Sequence, residues 1–275
     1  MLASFFLALR EGLEAALIIS LLLGSLRKMG RQADSRSIWL GTAAAFLLSL
    51  LVGLLFQVLG ASFSSPGEEI FEGTTMLLAA GILTWMILWM GKGSRRLNER
   101  LNSDLKQAVV AGGGWALFSL AFLAVIREGV ELALFLVAAA LNASGIQILL
   151  GAALGLASVI LLSLLLYKGL IQLDLKRFFQ VTSLILLFFA AGLVAHGVHE
   201  FTDLGWIPPL IEQVWDLNPI LDENSTLGQL LQALLGYNGN PSLTEVLAYF
   251  LYLGSASALS VSFRRKKGIP ELSSM

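Results

Sequence analysis

Two runs in this chain combine residue types and spacing that could do chemistry: Arg-Glu-Gly-Leu-Glu at 10–14 and Arg-Glu-Gly-Val-Glu at 127–131. Each offers two carboxylates and one guanidinium. On a helix Glu11 and Glu14 stand three apart and share a face, as do Glu128 and Glu131. Arg10 then reaches Glu14, and Arg127 reaches Glu131, at the i,i+4 spacing of a helical ion pair. Gly12 and Gly129 leave the backbone bare between the carboxylates, which lets another helix come close. Brought together, four glutamates and two arginines make a site of formal charge −2. Oxygen-rich sites of this kind suit hard cations. The arginines are expected to keep such a trap from becoming too deep to release its ion.

Both runs lie inside apolar stretches long enough to cross a bilayer. The chain has 275 residues, 56% of them hydrophobic and 13% charged, where a soluble domain has about 25% charged residues. Mean hydropathy is +0.79. These values describe an integral membrane protein. A central Arg or Asp costs about 2.5–3.5 kcal/mol on insertion, and each Leu, Ile or Phe returns about 0.3–0.6. The twelve Leu, Ile and Phe between residues 5 and 26 supply roughly 5 kcal/mol, against as much as about 9 for three charges. The charges should therefore face the bundle interior or a wet cavity. Interhelical bracing could use neutral residues without that penalty, so a motif repeated with the same residues argues for binding.

The elements that must position these residues are membrane helices. Apolar runs at about 3–26, 38–60, 69–90, 112–141, 146–167, 178–198 and 244–262 are each near the 20 residues a span needs. Sixteen of the eighteen Lys and Arg follow spans one, three, five and seven, and the other two are Arg10 and Arg127. The positive-inside rule then gives an all-α protein of seven transmembrane helices, N-terminus outside and C-terminus cytoplasmic. Span one runs inward and span four outward, so the two motifs are antiparallel. An inverted three-plus-three helix repeat follows, with a seventh helix added. The expected organisation is one permease domain over 1–275. It has repeat-like halves at 1–110 and 111–198, an outer loop at 199–243, a last helix at 244–262 and a basic tail at 263–275. The first residues lack the basic n-region of a cleavable signal and are read as a retained span.

Several classes are excluded. Without cysteine there is no disulfide, thiolate metal site or redox dithiol. Gly-Lys-Gly-Ser at 91–94 lacks the preceding glycine of a P-loop, so no nucleotide-driven motor is expected. The membrane potential remains as a drive, worth about 2.3 kcal/mol per charge per 100 mV and roughly 7 for a trivalent cation.

Ten acidic residues fall in outer loops or at outer helix ends with no Lys or Arg beside them, a face that concentrates cations. Glu68, Glu69, Glu72, His196, His199, Glu200, Asp203 and Glu245 are the candidate outer entry site. His196 and His199 are the only histidines. Glu245 suits either the outer mouth or a helix cap. Within the long outer connection, Leu227, Leu230, Leu231, Leu234 and Leu235 at helical spacing predict a short amphipathic helix, capped by Ser225 or Thr226. Gly151 and Gly155 form a GxxxG expected to serve close packing. Trp85, Trp89 and Trp115 read as interfacial anchors.

The paired motifs in spans one and four, with seven spans and an outside N-terminus, resemble the high-affinity iron permease family, the oxidase-dependent iron transporters and their bacterial EfeU-like members. The stretches LFQVLG…EEIFEG, ILTWM at 82–86, AAGL at 190–193 and SLTEVLAYFLYL at 242–253 share that likeness, which covers nearly the whole chain. The resemblance implies import of iron, ferric by the hardness of the carboxylate site, across the inner (cytoplasmic) membrane of a bacterium. It implies Glu11, Glu14, Glu128 and Glu131 as iron-binding groups, supported by Arg10, Arg127, Gly12 and Gly129. It also implies an outer E-x-x-E element, best matched by Glu69 to Glu72. Iron would be the substrate, with no organic cofactor, and the partner a periplasmic or extracellular iron-handling protein or oxidase, with no nucleic acid. From the residues alone two other readings stand: a permease or channel for Mn²⁺ or Ca²⁺, and an intramembrane hydrolase using a glutamate pair. A duplicated motif of identical residues gives no asymmetry between acid and base, and so favours binding.

Overall fold

The computed structural model describes residues 1–90, 103, 105, 107–108, 113–141, 144–167, 174–223 and 225–265. Among them the chain is helical with no strand: α1 (Leu2–Lys28), a 3-10 turn (Gln32–Asp34), α2 (Ser35–Gly60), α3 (Gly67–Met90), α4 (Gly114–Ala140), α5 (Gly145–Tyr167), α6 (Leu175–Asp203), α7 (Thr226–Leu235) and α8 (Leu243–Arg265). Each expected span is a helix within a few residues of its expected bounds, and α7 is the expected amphipathic helix. The basic residues Lys92, Arg95, Arg96, Arg100, Lys106, Lys168, Lys266 and Lys267 lie outside the described residues.

Length and composition make this a multi-pass membrane protein. Four segments are long and apolar enough to cross: Gln32–Gly60, Gly67–Leu88, Gly145–Leu166 and Arg177–Asp203. α1 and α4 have 27 residues each, about 40 Å at 1.5 Å per residue, against a hydrocarbon core of about 30 Å. They miss that apolar standard because each concentrates the three charges of its motif. α8 holds a shorter apolar stretch, Leu243–Leu259. Leu47, Leu51, Leu54 and Leu55 of α2 are all exposed, as lipid-facing residues are.

The chain divides into two compact units, Met1–Ser64 with Gly93–Thr182, and Ser65–Lys92 with Ser183–Met275. The first is built on two helix pairs, α2 against α4 and α1 against α5, with α1 also packed on α4. Small residues make these approaches possible. Gly41 of α2 lies against Phe118, Ala121 and Phe122 of α4, where a Cβ would meet the Phe118 carbonyl oxygen. Gly151 of α5 lies against Met1 and Ser4 of α1, and Gly155 against Phe5 and Ala8, in the same manner. Met1 and Ser4 precede the first motif by the same steps as Phe118 and Ala121 precede the second. At motif level Gly129 meets Ser49 of α2, and Gly12 meets Val159 of α5. Ser49 stands as far beyond Gly41 as Val159 stands beyond Gly151. The two pairings thus match each other at both of these levels.

The core of this unit lies at the α1–α2–α4 junction, where Ile18, Leu22, Leu26, Ile38 and Leu117 are buried together. On the other side of α1, Leu9 and Leu13 pack on Val159. Arg27 and Lys28 close α1, favourable charges at a helix C-terminus.

In the second unit α3 and α6 cross at two glycines. A Cβ on Gly73 would stand 3.1 Å from the Gly197 carbonyl oxygen, and one on Gly197 3.2 Å from that of Gly73. Thr84 of α3 and Tyr252 of α8 share a hydrogen bond of 2.7 Å. α7 begins at Ser225, whose Oγ accepts from Gly228 N at 3.0 Å. It ends at Gly236, left-handed at φ 68, whose bare backbone rests on Gly192 of α6. The connection from α6 to α8 is pinned by backbone hydrogen bonds from Val214 N to Pro241 O (3.0 Å), Leu217 N to Gly239 O (2.8 Å) and Leu243 N to Ile211 O (3.0 Å).

Candidate functional site

In the first unit the motif residues meet across α1 and α4. Arg10 Nε donates to Glu14 Oε1 at 3.3 Å, and Arg127 Nε to Glu131 Oε1 at 2.9 Å. Arg127 Nε also lies 3.8 Å from Glu128 Oε1. Both motifs therefore form the i,i+4 pair that their spacing calls for. Their surroundings differ: the Arg10 side chain is 0% exposed and that of Arg127 47%.

Glu11, Glu128 and Glu131 each bring one carboxylate oxygen into a group whose members all lie within 4.8 Å of one another. Glu11 and Glu128 are buried, and Glu131 nearly so. Neither oxygen of Glu11, nor Oε2 of Glu128 or of Glu131, receives a hydrogen bond among the described residues. Glu14 stays with Arg10, close enough to Glu11, Glu128 and Glu131 to act on them electrostatically. Of the four motif glutamates, three converge and the fourth is held beside them.

The energetics of such a group are one-sided. Two ionised carboxylates at the 4.8 Å limit repel by about 3.5 kcal/mol at an effective dielectric constant of 20. Three such contacts, with four of the six oxygens buried and given no hydrogen bond among the described residues, are a standing cost. A small cation between them adds one attraction for each of the three carboxylates at shorter range than their mutual repulsions, and carboxylate oxygen is the donor that hard cations take. This group can hold a positive ion.

α2 carries one buried polar side chain, Ser49, that the sequence reading passed over. Its Oγ donates to Ala45 O at 2.8 Å and packs directly on Gly129. Only the pairing of α2 with α4 exposes this neighbour, because nothing in a single apolar helix marks Ser49 from its other serines.

The second unit gathers several outer-entry candidates. At the Gly73–Gly197 crossing Glu200 Cβ is within 3.2 Å of the space a Gly73 Cβ would fill. Glu200 has Glu72, Glu69 and Asp203 as acidic neighbours, and Glu68 lies by Glu72. The two histidines have partners of their own, and those of His199 belong to the same candidate set. His196 Nδ1 lies 2.9 Å from Gly192 O, and its Nε2 3.4 Å from Gln232 Nε2 of α7. His199 Nδ1 is 3.0 Å from Glu245 Oε1, with Asp203 at 3.6 Å from Nε2. Glu245 is buried and fully used. Oε1 accepts from Ser242 N at 3.3 Å and Ser242 Oγ at 2.8 Å, and Oε2 from Asn238 Nδ2 at 2.7 Å. Glu245 N points back to Ser242 Oγ at 3.3 Å, so Ser242 and Glu245 form a capping box that starts α8. The Ser-x-x-Glu spacing at 242–245 carried that signal in the sequence.

Residues 1–264 match the iron permease FTR1 family. A relative from Escherichia coli O6:K15:H31 (strain 536 / UPEC), named ferrous iron permease EfeU, is 40% identical over 255 residues, 92% of each chain. One of the same name from Yersinia pestis is 38% identical over 255 residues, 92% of this chain and 90% of the relative. A relative from Escherichia coli (strain K12), at 40% over 255 residues and 92% of each chain, carries the qualifier inactive in its name. No solved structure matches the chain.

Proposed function

The chain belongs to the iron permease FTR1 family, and from that premise we propose that it moves iron across the inner membrane of a bacterium through the carboxylate group of α1 and α4. The single observation that carries this reading is the convergence of Glu11, Glu128 and Glu131, from both motif helices, with four buried oxygens that no donor among the described residues satisfies. Acidic residues at the ends of α3 and α6 collect the cation outside, the motif glutamates hold it within the membrane, and the membrane potential draws it inward. Arg10 and Arg127 offset part of the negative charge and keep the ion exchangeable. A partner that hands over or oxidises iron would meet the outer acidic face.

The proposed architecture is the seven-span bundle with N-terminus outside, cytoplasmic C-terminus and an inverted three-plus-three repeat, as one permease domain. Two observations support it. The α2–α4 and α1–α5 contacts repeat each other at corresponding positions. The first two helices of each half fall in one compact unit, while α3 and most of α6, the third helices, fall in the other.

The names of the relatives favour ferrous iron, whereas the hardness of carboxylate oxygen favours ferric. Proteoliposomes loaded with the purified chain decide between them. Radiolabelled iron is offered with ascorbate or as a soluble ferric chelate, with Mn²⁺ and Ca²⁺ as competitors. Uptake that depends on Glu11, Glu128 and Glu131 and resists those competitors is the expected result. Uptake unchanged in Glu11→Gln and Glu128→Gln would end the proposal, and equal uptake of Mn²⁺ would broaden it to other hard cations.

A further inference from the structure

α2 and α4 leave an apolar groove on the surface of the first unit, about 480 Å³ in volume, walled by Leu40, Ala43, Ala44, Leu47, Trp115 and Phe118. The wall on α4 is flat. Trp115 and Phe118 stack at 5.0 Å, and Phe118 on Phe122 at 6.0 Å, with rings within 7° of parallel. Trp115 is 75% exposed and so has no covering side chain over most of its surface. Along α2 the groove runs from Ser37 to Leu47, about 15 Å at 1.5 Å per residue. That is the depth of one leaflet of a hydrocarbon core about 30 Å thick.

One end of this groove is basic. Arg36, next in the chain to the lining residue Ser37, is exposed at the start of α2; exposed Arg27 and Lys28 end α1, and the connection between the two helices carries the half-buried Arg31. Among the described residues from Arg27 to Arg36 the one acid is Asp34, which pairs with Arg31 at 2.6 Å. Trp39, 55% exposed, sits at the same end, where an aromatic ring meets lipid headgroups. The other end, at Leu47, stops two residues short of Ser49, the residue packed on Gly129 of the second motif.

We propose that this groove is a site for one anionic phospholipid, its acyl chain lying along α2 and α4 and its phosphate facing Arg36. The occupant is argued from charge and length together. An apolar trough of one-leaflet depth fits an acyl chain, and a basic mouth selects an anionic headgroup over a zwitterionic one. On the topology proposed above the mouth lies in the cytoplasmic leaflet. The lipid would brace the α2–α4 pairing on which the Ser49–Gly129 contact depends.

The test uses the full chain, reconstituted in vesicles of equal phosphatidylglycerol and phosphatidylcholine and extracted into a neutral detergent. Native mass spectrometry reads the lipid retained. One phosphatidylglycerol per chain is expected, favoured over phosphatidylcholine by about fivefold for each basic residue at the mouth. Ala43→Trp should fill the trough and Arg36→Glu should repel the headgroup, each abolishing retention, while Arg36→Lys keeps it. Both positions are exposed, and circular dichroism checks folding. Ala43→Phe replaces Ala43→Trp if the larger ring disturbs the helix. Equal retention of the two lipids, or retention that survives Ala43→Trp and Arg36→Glu, overturns the proposal. So does a lipid-free dimer that Ala43→Trp dissociates, which would make a second copy the occupant. Lipid retention is read without iron, so this outcome is independent of the transport assay.

Discussion

Gly129→Ala should separate the second motif from the helix that supports it. A Cβ at Gly129 would collide with Ser49 Oγ and stand 2.8 Å from Ser49 Cβ. Turning the Ser49 side chain relieves only the first contact, because Cβ does not move with χ1. Nor is the hydroxyl free to turn, since it donates to Ala45 O at 2.8 Å. One of the two helices must shift, and overpacking of this kind costs about 1–3 kcal/mol. The partner substitutions grade the relief. Ser49→Ala removes the hydroxyl and leaves the 2.8 Å Cβ contact, so the Gly129→Ala/Ser49→Ala double variant should recover part of the loss. Gly129→Ala/Ser49→Gly removes both contacts and should recover most of it. A double-mutant cycle in detergent, read by reversible unfolding, should therefore give a coupling of about 1–2 kcal/mol between these neighbours. The same series followed by iron uptake should show the order Gly129→Ala lowest, Ser49→Ala double intermediate and Ser49→Gly double highest. If Gly129→Ala unfolds as the native chain does, or if Ser49→Gly restores nothing, the α2–α4 approach is not what holds the motif.

Two further outcomes follow from the site geometry. Arg10 and Arg127 occupy equivalent motif places in unequal surroundings, so Arg10→Gln should destabilise by about 3–5 kcal/mol, as loss of a buried partner does. Arg127→Gln, at a half-exposed pair, should cost about 1 kcal/mol or less. Equal stability losses in parallel unfolding experiments would contradict the burial difference, and unchanged transport and affinity in Arg10→Gln would remove the arginine from the proposed exchange of ions. Ser242→Ala opens the capping box and should cost about 0.5–2 kcal/mol, with faster amide exchange confined to the first turn of α8. Protection unchanged there would mean that Asn238 and His199 alone hold Glu245.

Much of this was legible in the residues because membrane helices obey simple rules. The apolar runs matched α1 to α6 and α8 closely, since a chain in lipid has few alternatives to closing its hydrogen bonds within a helix. The five prolines among the described residues all fall outside helices, which made the breaks readable. Arg10–Glu14 and Arg127–Glu131 follow from i,i+4 spacing alone. Three features were not readable, each because it depends on which helix meets which. Glu14 stands beside the converging three while Glu131, equally paired to its own arginine, is one of them. Ser49 and Val159 become motif neighbours only once α2 crosses to α4 and α5 to α1. The contacts of His196 with Gly192 and Gln232, and of His199 with Glu245, appear only once α6, α7 and α8 are packed.

The hold of Glu245 on both Ser242 and His199 gives the exposed tip of the long stretch between α6 and α8 a measure of freedom. The two ends of the stretch are buckled together by side chains at their roots and by the backbone ties of residues 211–217 to 239–243, so the tip itself carries least of the job of keeping those helices in register. A protease nick or an inserted affinity tag among the exposed residues near Ile220 would leave the buckle fastened. That stretch is accordingly the natural place to add a reporter to a working transporter, and the stretch whose length should vary most easily among chains of this kind.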